Sequence, residues 1–293
     1  MATPELIRVD VGDTEIGTIR WPCAHATSTV VAIHGITANA WSWAAVASQL
    51  DGIVCLVAVD LRGRGTSSDA PPPYGIRQHA DDVAAVIEQL GVGRVVVTGH
   101  SMGAYVALLT AERHPALVAD VVLVDGGVAL PVPEGVAIQD VLDLTLGPAI
   151  ARLRQTWPNR MAYREMWERH PAFAGGITPD IERYVLADLV EGEDGSFHSS
   201  VSEEAVRFDG AELLTDAEVR SALDRRQEPL RIVRAELGVL AAPPPLIPIE
   251  YETRYPQHAW STVAGANHYD VLIGESGAST VADALSAAVT ARS

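Results

Sequence analysis

Short apolar runs alternate with amphipathic stretches through much of the chain. The runs lie at 30–34, 54–60, 94–99, 120–125, 230–234 and 260–264. They are rich in Val and Ile, and several are followed by Gly. Unbroken hydrophobicity over so few residues marks strands buried on both faces, as in a parallel sheet. Between the runs, 41–50, 77–90 and 104–114 carry apolar residues at helical spacing, and 278–290 closes the chain in the same manner. This alternation predicts an α/β protein with a doubly wound sheet. The opening stretch 5–20 differs: apolar and polar residues alternate about Gly12 and Asp13, which predicts an antiparallel hairpin at the sheet edge. Together these give a mostly parallel, eight-stranded sheet.

The alternation stops after Gly127. From 128 to 228 the pattern is helical and amphipathic, broken at Pro131, Pro133, Pro148, Pro158, Pro171 and Pro179 and by glycines at 175–176, 192 and 195. The strand pattern resumes at Leu230. An insertion of roughly 100 residues is too long for a loop. The expectation is a helical cap, residues 128–228, inserted after the sixth strand of a core formed by residues 1–127 and 229–293.

Composition narrows the function. Of 293 residues 48% are apolar and 20% charged, which supplies a full core. The net charge of -17 repels phosphate backbones and anionic membranes, so neither nucleic acid nor a membrane is an expected partner. All 21 basic residues are Arg, which excludes Lys-based Schiff-base and Ser–Lys chemistry. Cys23 and Cys55 make neither a disulfide framework nor a zinc site, and Cys55, in an apolar run, reads as a small buried hydrophobe. No basic leader precedes an apolar stretch, and no run reaches the roughly 18 apolar residues of a membrane span. The expected location is cytoplasmic. No metal-ligand cluster and no dinucleotide fingerprint appears, so no cofactor is expected. The expected partner is a small-molecule substrate, with a homodimer left open.

The residues 94–108 contain Gly99-His100-Ser101-Met102-Gly103, a G-x-S-x-G pattern between a β-branched strand and an Ala-rich helix. A serine on so sharp a turn needs small neighbours two residues away, because strand and helix converge there. The helix N-terminus turns amide N–H groups toward the site, favouring a developing negative charge.

At these residues the chain resembles the α/β-hydrolase fold family, and three further motifs match in order. His34-Gly35-Ile36-Thr37-Ala38-Asn39 is similar to the family's oxyanion loop, which implies that the Ile36 and Met102 amides hold an oxyanion. Asp60-Leu61-Arg62-Gly63-Arg64-Gly65-Thr66-Ser67 is similar to a structural loop, in which Asp60 and Arg62 are expected to pair. Gly265-Ala266-Asn267-His268-Tyr269-Asp270 resembles the loop that carries the general base, His268. The other histidines read as ordinary: His34 supports the oxyanion loop, His100 is the elbow's variable position, and His25, His79, His114, His170, His198 and His258 fall in predicted loops, helices or strand starts.

The acid departs from the family pattern. Its usual place follows the strand after the cap, where this chain has Gly238. Two carboxylates remain: Asp125, at the end of the preceding strand and 24 residues after Ser101, and the alternative Glu236. Some relatives use the former location, and the acid needs only to accept the imidazole N–H and stabilise the imidazolium.

In the cap, Trp157, Met161, Tyr163, Trp167 and Phe173 stand with Leu142, Leu144 and Leu146. They read first as cap core and seam, and also as candidates for the wall of a substrate pocket, with Trp41 and Trp43 facing the same space. The resemblance implies a serine hydrolase, carboxylesterase- or lactonase-like, acting on an ester or lactone of a hydrophobic small molecule through an acyl-enzyme. The same machinery serves carbon–carbon bond hydrolases, amidases and thioesterases. A non-hydrolytic ligand-binding or biosynthetic tailoring protein is the reading from another class.

Overall fold

In the computed structural model, residues 3–23, 28–50, 52, 54–132 and 135–291 are described. His25 and Pro133 lie outside them. The apolar runs form strands whose side chains alternate between two cores. Val30 and Ala32 point to one face, Val31 and Ile33 to the other, which is what burial on both faces requires. The order along the chain begins β1 (Glu5–Asp10), β2 (Glu15–Trp21), β3 (Thr29–Ile33), α1 (Ala44–Leu50), β4 (Cys55–Val59), α2 (Ile76–Leu90), β5 (Val95–His100), α3 (Met102–Arg113) and β6 (Val118–Val124). Then come α4 (Ile138–Leu153), β7 (Thr156–Trp157), α5 (Arg160–Glu168), α6 (Pro179–Leu186), β8 (Leu189–Glu191), β9 (Phe197–Ser199), α7 (Glu203–Thr215), α8 (Ala217–Arg220) and α9 (Ala222–Arg225). The chain closes with β10 (Arg231–Ala235), α10 (Glu250–Arg254), β11 (Ala259–Val263), α11 (Asp270–Ile273) and α12 (Glu275–Thr290).

Among the described residues the main sheet has eight strands in the order β1-β2-β4-β3-β5-β6-β10-β11. The β1–β2 hairpin and its seam with β4 are antiparallel; the other pairings are parallel. One face is covered by α2 and α3, the other by α1, α11 and α12.

The stretch between β6 and β10 is not wholly helical, as its pattern had suggested. Three short strands pair antiparallel in the order β7-β9-β8. The glycines at 192 and 195 supply the β8–β9 turn, where Gly192 N–H donates to Ser196 and Gly195 takes a φ of 77°. Within this stretch α4 packs on α7 and α5 on α6; α6 also rests on the short turn Ala40–Trp43, and α7 on α2.

Cys23 and Cys55 are disulfide-bonded, against the expectation of an isolated buried Cys55. The β2–β4 register explains it: Trp21 lies opposite Leu56, so the chain leaving β2 passes over Cys55. Among the described residues no helix is long and apolar enough to cross a membrane.

Candidate active site

β5 runs into Ser101, whose backbone takes φ 55° and ψ -119° before α3 begins at Met102. The flanking glycines permit this turn. A Cβ on Gly99 would lie 1.9 Å from the Gly103 carbonyl oxygen, and one on Gly103 would lie 2.3 Å from that of Ile33. Ser101 N–H donates to Val124 O at 2.9 Å, which ties the elbow to the end of β6.

The next residue of that strand end is Asp125, fully buried and also at positive φ, 41°. Its N–H donates to Val233 O, its Oδ1 accepts from Ala235 N–H at 3.2 Å, and its Oδ2 accepts from His268 Nδ1 at 2.6 Å. With a proton on Nδ1, the neutral ring keeps an open lone pair on Nε2. The ring also meets that of His100 at a tilt of 34°, with 4.5 Å between centroids, so it lies beside the elbow. His100 Nε2 bonds to the His268 carbonyl oxygen at 2.9 Å, pinning the loop from below. Burial, reinforced by His268, holds the His100 imidazole well below its usual range, so it stays neutral.

Glu236 is not at this histidine. It is exposed and accepts from Gly265 N–H at 2.6 Å. No side chain fits at 238 either: a Cβ there would lie 2.4 Å from Pro244 O. The loop after β10 is folded too tightly to present a carboxylate at that position.

The loop after β3 passes close to the serine. A Cβ on Gly35 would stand 3.2 Å from that of Ser101. His34 Nδ1 bonds to Gly35 O at 2.7 Å, and Leu61 N–H donates to His34 Nε2 at 3.0 Å. Burial drives the His34 pKa down to about 3, so the ring is neutral and donates from Nδ1. Ala38 N–H holds the same Gly35 oxygen. In a trans peptide C=O and N–H point in opposite directions, so fixing the Gly35 carbonyl also fixes the Ile36 amide. Met102, first residue of α3, has no intrahelical acceptor for its N–H. Among the described residues neither amide has a protein acceptor.

A model of the α/β-hydrolase fold matches residues 28–171. The chain adopts the α/β-hydrolase fold. It is 36% identical over 92 residues to 2-(acetamidomethylene)succinate hydrolase of Mesorhizobium japonicum, covering 31% of this chain and 33% of that protein. It is 38% identical over 117 residues to lipase LipV of Mycobacterium tuberculosis, covering 40% and 43%. These matches thus span about a third and about two fifths of the two relatives. A crystal structure of E-2-(acetamidomethylene)succinate hydrolase superposes over 97% of this chain and 100% of that one, with TM-score 0.77 and 23% identity.

The loop after β4 departs from expectation, because Asp60 and Arg62 do not pair. Asp60 turns toward the loop after β3 and accepts from Ala40 N–H and from the amide and hydroxyl of Thr66. Arg62 turns the other way, to Asp82 of α2 at 2.5 Å and Asp13 at 2.6 Å. Arg64, not Arg62, reaches the loop after β3. It donates from Nε to Ile36 O at 3.1 Å and forms an ion pair with Asp209 of α7 at 2.7 Å, both side chains fully buried. His79 bonds to the same Asp209 oxygen at 2.9 Å. Burial opposes ionisation of Asp209, but His79 and Arg64 outweigh it and bring its pKa down to about 2.

The aromatic candidates divide. Trp157, Tyr163, Trp167 and Phe173 are buried and meet edge to face. Trp43 is fully buried in the core, and Trp41 lies edge-on to Trp21 under Arg183. Met161 is a correction: 56% exposed, it is two residues from Tyr163 and so on the opposite face of α5. Leu144 is likewise exposed, whereas Leu142 is buried and Leu146 partly so. The roles of His79, His100 and Arg64 went unread because each depends on a partner distant in sequence; only the elbow's fixed spacing pointed toward His100.

Proposed function

We propose that the chain is a serine hydrolase that cleaves a carboxylic ester or lactone of a largely apolar small molecule. The observation that carries this reading is the 2.6 Å bond from His268 Nδ1 to Asp125 beside the strained elbow of Ser101. His268 Nε2 takes the Ser101 proton as Oγ attacks the carbonyl carbon. The Ile36 and Met102 amides hold the resulting oxyanion. The imidazolium, stabilised by Asp125, returns that proton to the leaving oxygen as the C–O bond breaks. Water then gives a proton to His268 while its oxygen attacks the acyl carbon, and Ser101 leaves with that proton. Trp157, Tyr163 and Trp167 enclose the acyl group from the cap, residues 128–228, with Trp41 at the rim.

Amide cleavage is the second reading, favoured by the relative whose name specifies an acetamido-substituted succinate. The steps are the same, with nitrogen as the leaving atom. The bonded Cys23–Cys55 pair favours an oxidising compartment over the cytoplasmic one expected from the sequence. A screen of p-nitrophenyl esters, lactones and anilides tests both readings. Turnover that disappears in Ser101→Ala supports the hydrolase, and its absence across the screen contradicts it.

A further inference from the structure

Arg152, near the end of α4, is 7% exposed. Only its Nη1 is occupied, by Tyr163 Oη and Asp188 Oδ2, each at 2.6 Å. Asp188 in turn is filled by Tyr163, Ser199 and Ser200. Among the described residues Nε and Nη2 of Arg152 have no acceptor, so one edge of the guanidinium is left bare.

Other donors without partners gather about that edge. Trp167 lies under the guanidinium, 5.2 Å from Cζ to ring centroid, and its own buried Nε1 has no acceptor. Tyr184 is buried, with its backbone carbonyl held by Asn39 of the oxyanion loop at 3.1 Å, and its hydroxyl has no partner among the described residues. The same holds for the hydroxyl of Tyr269. Tyr184 and Trp167 share one buried cluster, against which Tyr269 packs. Burial raises both phenols above their usual range, so they stay protonated and donate. Tyr269 follows His268 directly, its ring 5.9 Å from that of His268 and 6.3 Å from that of Trp167. The group therefore offers N–H and O–H donors one ring away from the general base.

We propose that Arg152, Tyr184 and Tyr269 bind a carboxylate carried by the substrate, with the open Nε/Nη2 edge of Arg152 receiving both oxygens. A guanidinium edge matches a carboxylate in this two-point manner, whereas a neutral carbonyl fills only one of the two positions. Asp188 does not repel it directly, since its oxygens face Nη1 and the serines. The proposal rests on the hydrolase reading and adds to it: an apolar ester or lactone that also bears an acid.

The test compares p-nitrophenyl hydrogen succinate with p-nitrophenyl pentanoate, similar in length but neutral. The succinate ester is expected to have a kcat/KM about tenfold or more higher, carried in KM. Tyr184→Phe and Tyr269→Phe remove one oxygen each and are expected to cut that preference several-fold; Arg152→Gln is expected to abolish it. Should Arg152→Gln not fold, having lost its bond to Asp188, the two Phe variants decide. A preference for pentanoate, or a succinate preference that both Phe variants retain in full, overturns the proposal. If neither ester is cleaved and Ser101 takes no fluorophosphonate, the hydrolase reading fails on its own. Succinate titrated calorimetrically into the protein then decides the anion site: binding weakened in Tyr184→Phe supports it, and no heat at millimolar succinate overturns it.

Discussion

Ser101, Asp125 and His268 follow the strands β5, β6 and β11 of one sheet, whereas Arg152, Tyr163, Tyr184 and Asp188 lie in the stretch inserted between β6 and β10. The strand-end residues are held by backbone. Ser101 and Asp125 each donate an N–H to the adjacent strand, and glycines clear the space around the elbow. The inserted residues are held by one another: one nitrogen of the Arg152 guanidinium, a phenol, a carboxylate and two serines bond together between β6 and β10. Geometry fixed by a sheet tolerates little variation, so it leaves a local motif. Geometry fixed by a network of side chains leaves none, because each position is defined by partners tens of residues away.

Substitutions on the two sides sharpen this contrast. The largest effect is expected at the elbow: Ser101→Ala should lower kcat about a million-fold with the fold intact, read by turnover of the best ester beside circular dichroism. Next comes the latch between α7 and the core. Asp209→Asn leaves Arg64 buried without its counter-charge and should cost about 3–5 kcal/mol in urea unfolding. A cost under about 1 kcal/mol would mean that α7 is not anchored there.

The third effect is one of pH. His34 has a folded pKa of about 3 against an ordinary 6.5, so between those values the unfolded chain binds a proton that the folded chain does not. Its contribution is complete above about pH 6.5 and shrinks toward pH 3, by up to about 1.4 kcal/mol per pH unit. Urea midpoints measured across this window should fall with pH, and His34→Gln should flatten that slope. The smallest effect is expected at Met161. On the outer face of α5, Met161→Ala should change stability by no more than about 0.5 kcal/mol. A large loss of stability or activity there would return Met161 to the pocket wall.

The sheet was legible because strands buried on both faces leave unbroken Val and Ile runs. The elbow was legible because steric convergence demands Gly99 and Gly103. Asp125 was only one of two options, since sequence position does not say that the loop after β10 folds against Pro244 and turns Glu236 to Gly265. The small β7-β9-β8 sheet was missed because strands two or three residues long have no period to detect. Asp60 and Arg62 do not pair because the two side chains point to opposite sides of their loop, which a likeness of the motif does not reveal. Arg152 stood in an amphipathic helix with no local mark of its burial.

The central claim is the relay from Ser101 through His268 to Asp125, and the rate at which a fluorophosphonate labels the protein tests it without knowledge of the substrate. We predict a single adduct on Ser101, formed at equal rates in the wild type and Glu236→Gln and roughly a thousand-fold or more slower in Asp125→Asn. An unlabelled wild type, or slowing in Glu236→Gln but not in Asp125→Asn, would contradict the account.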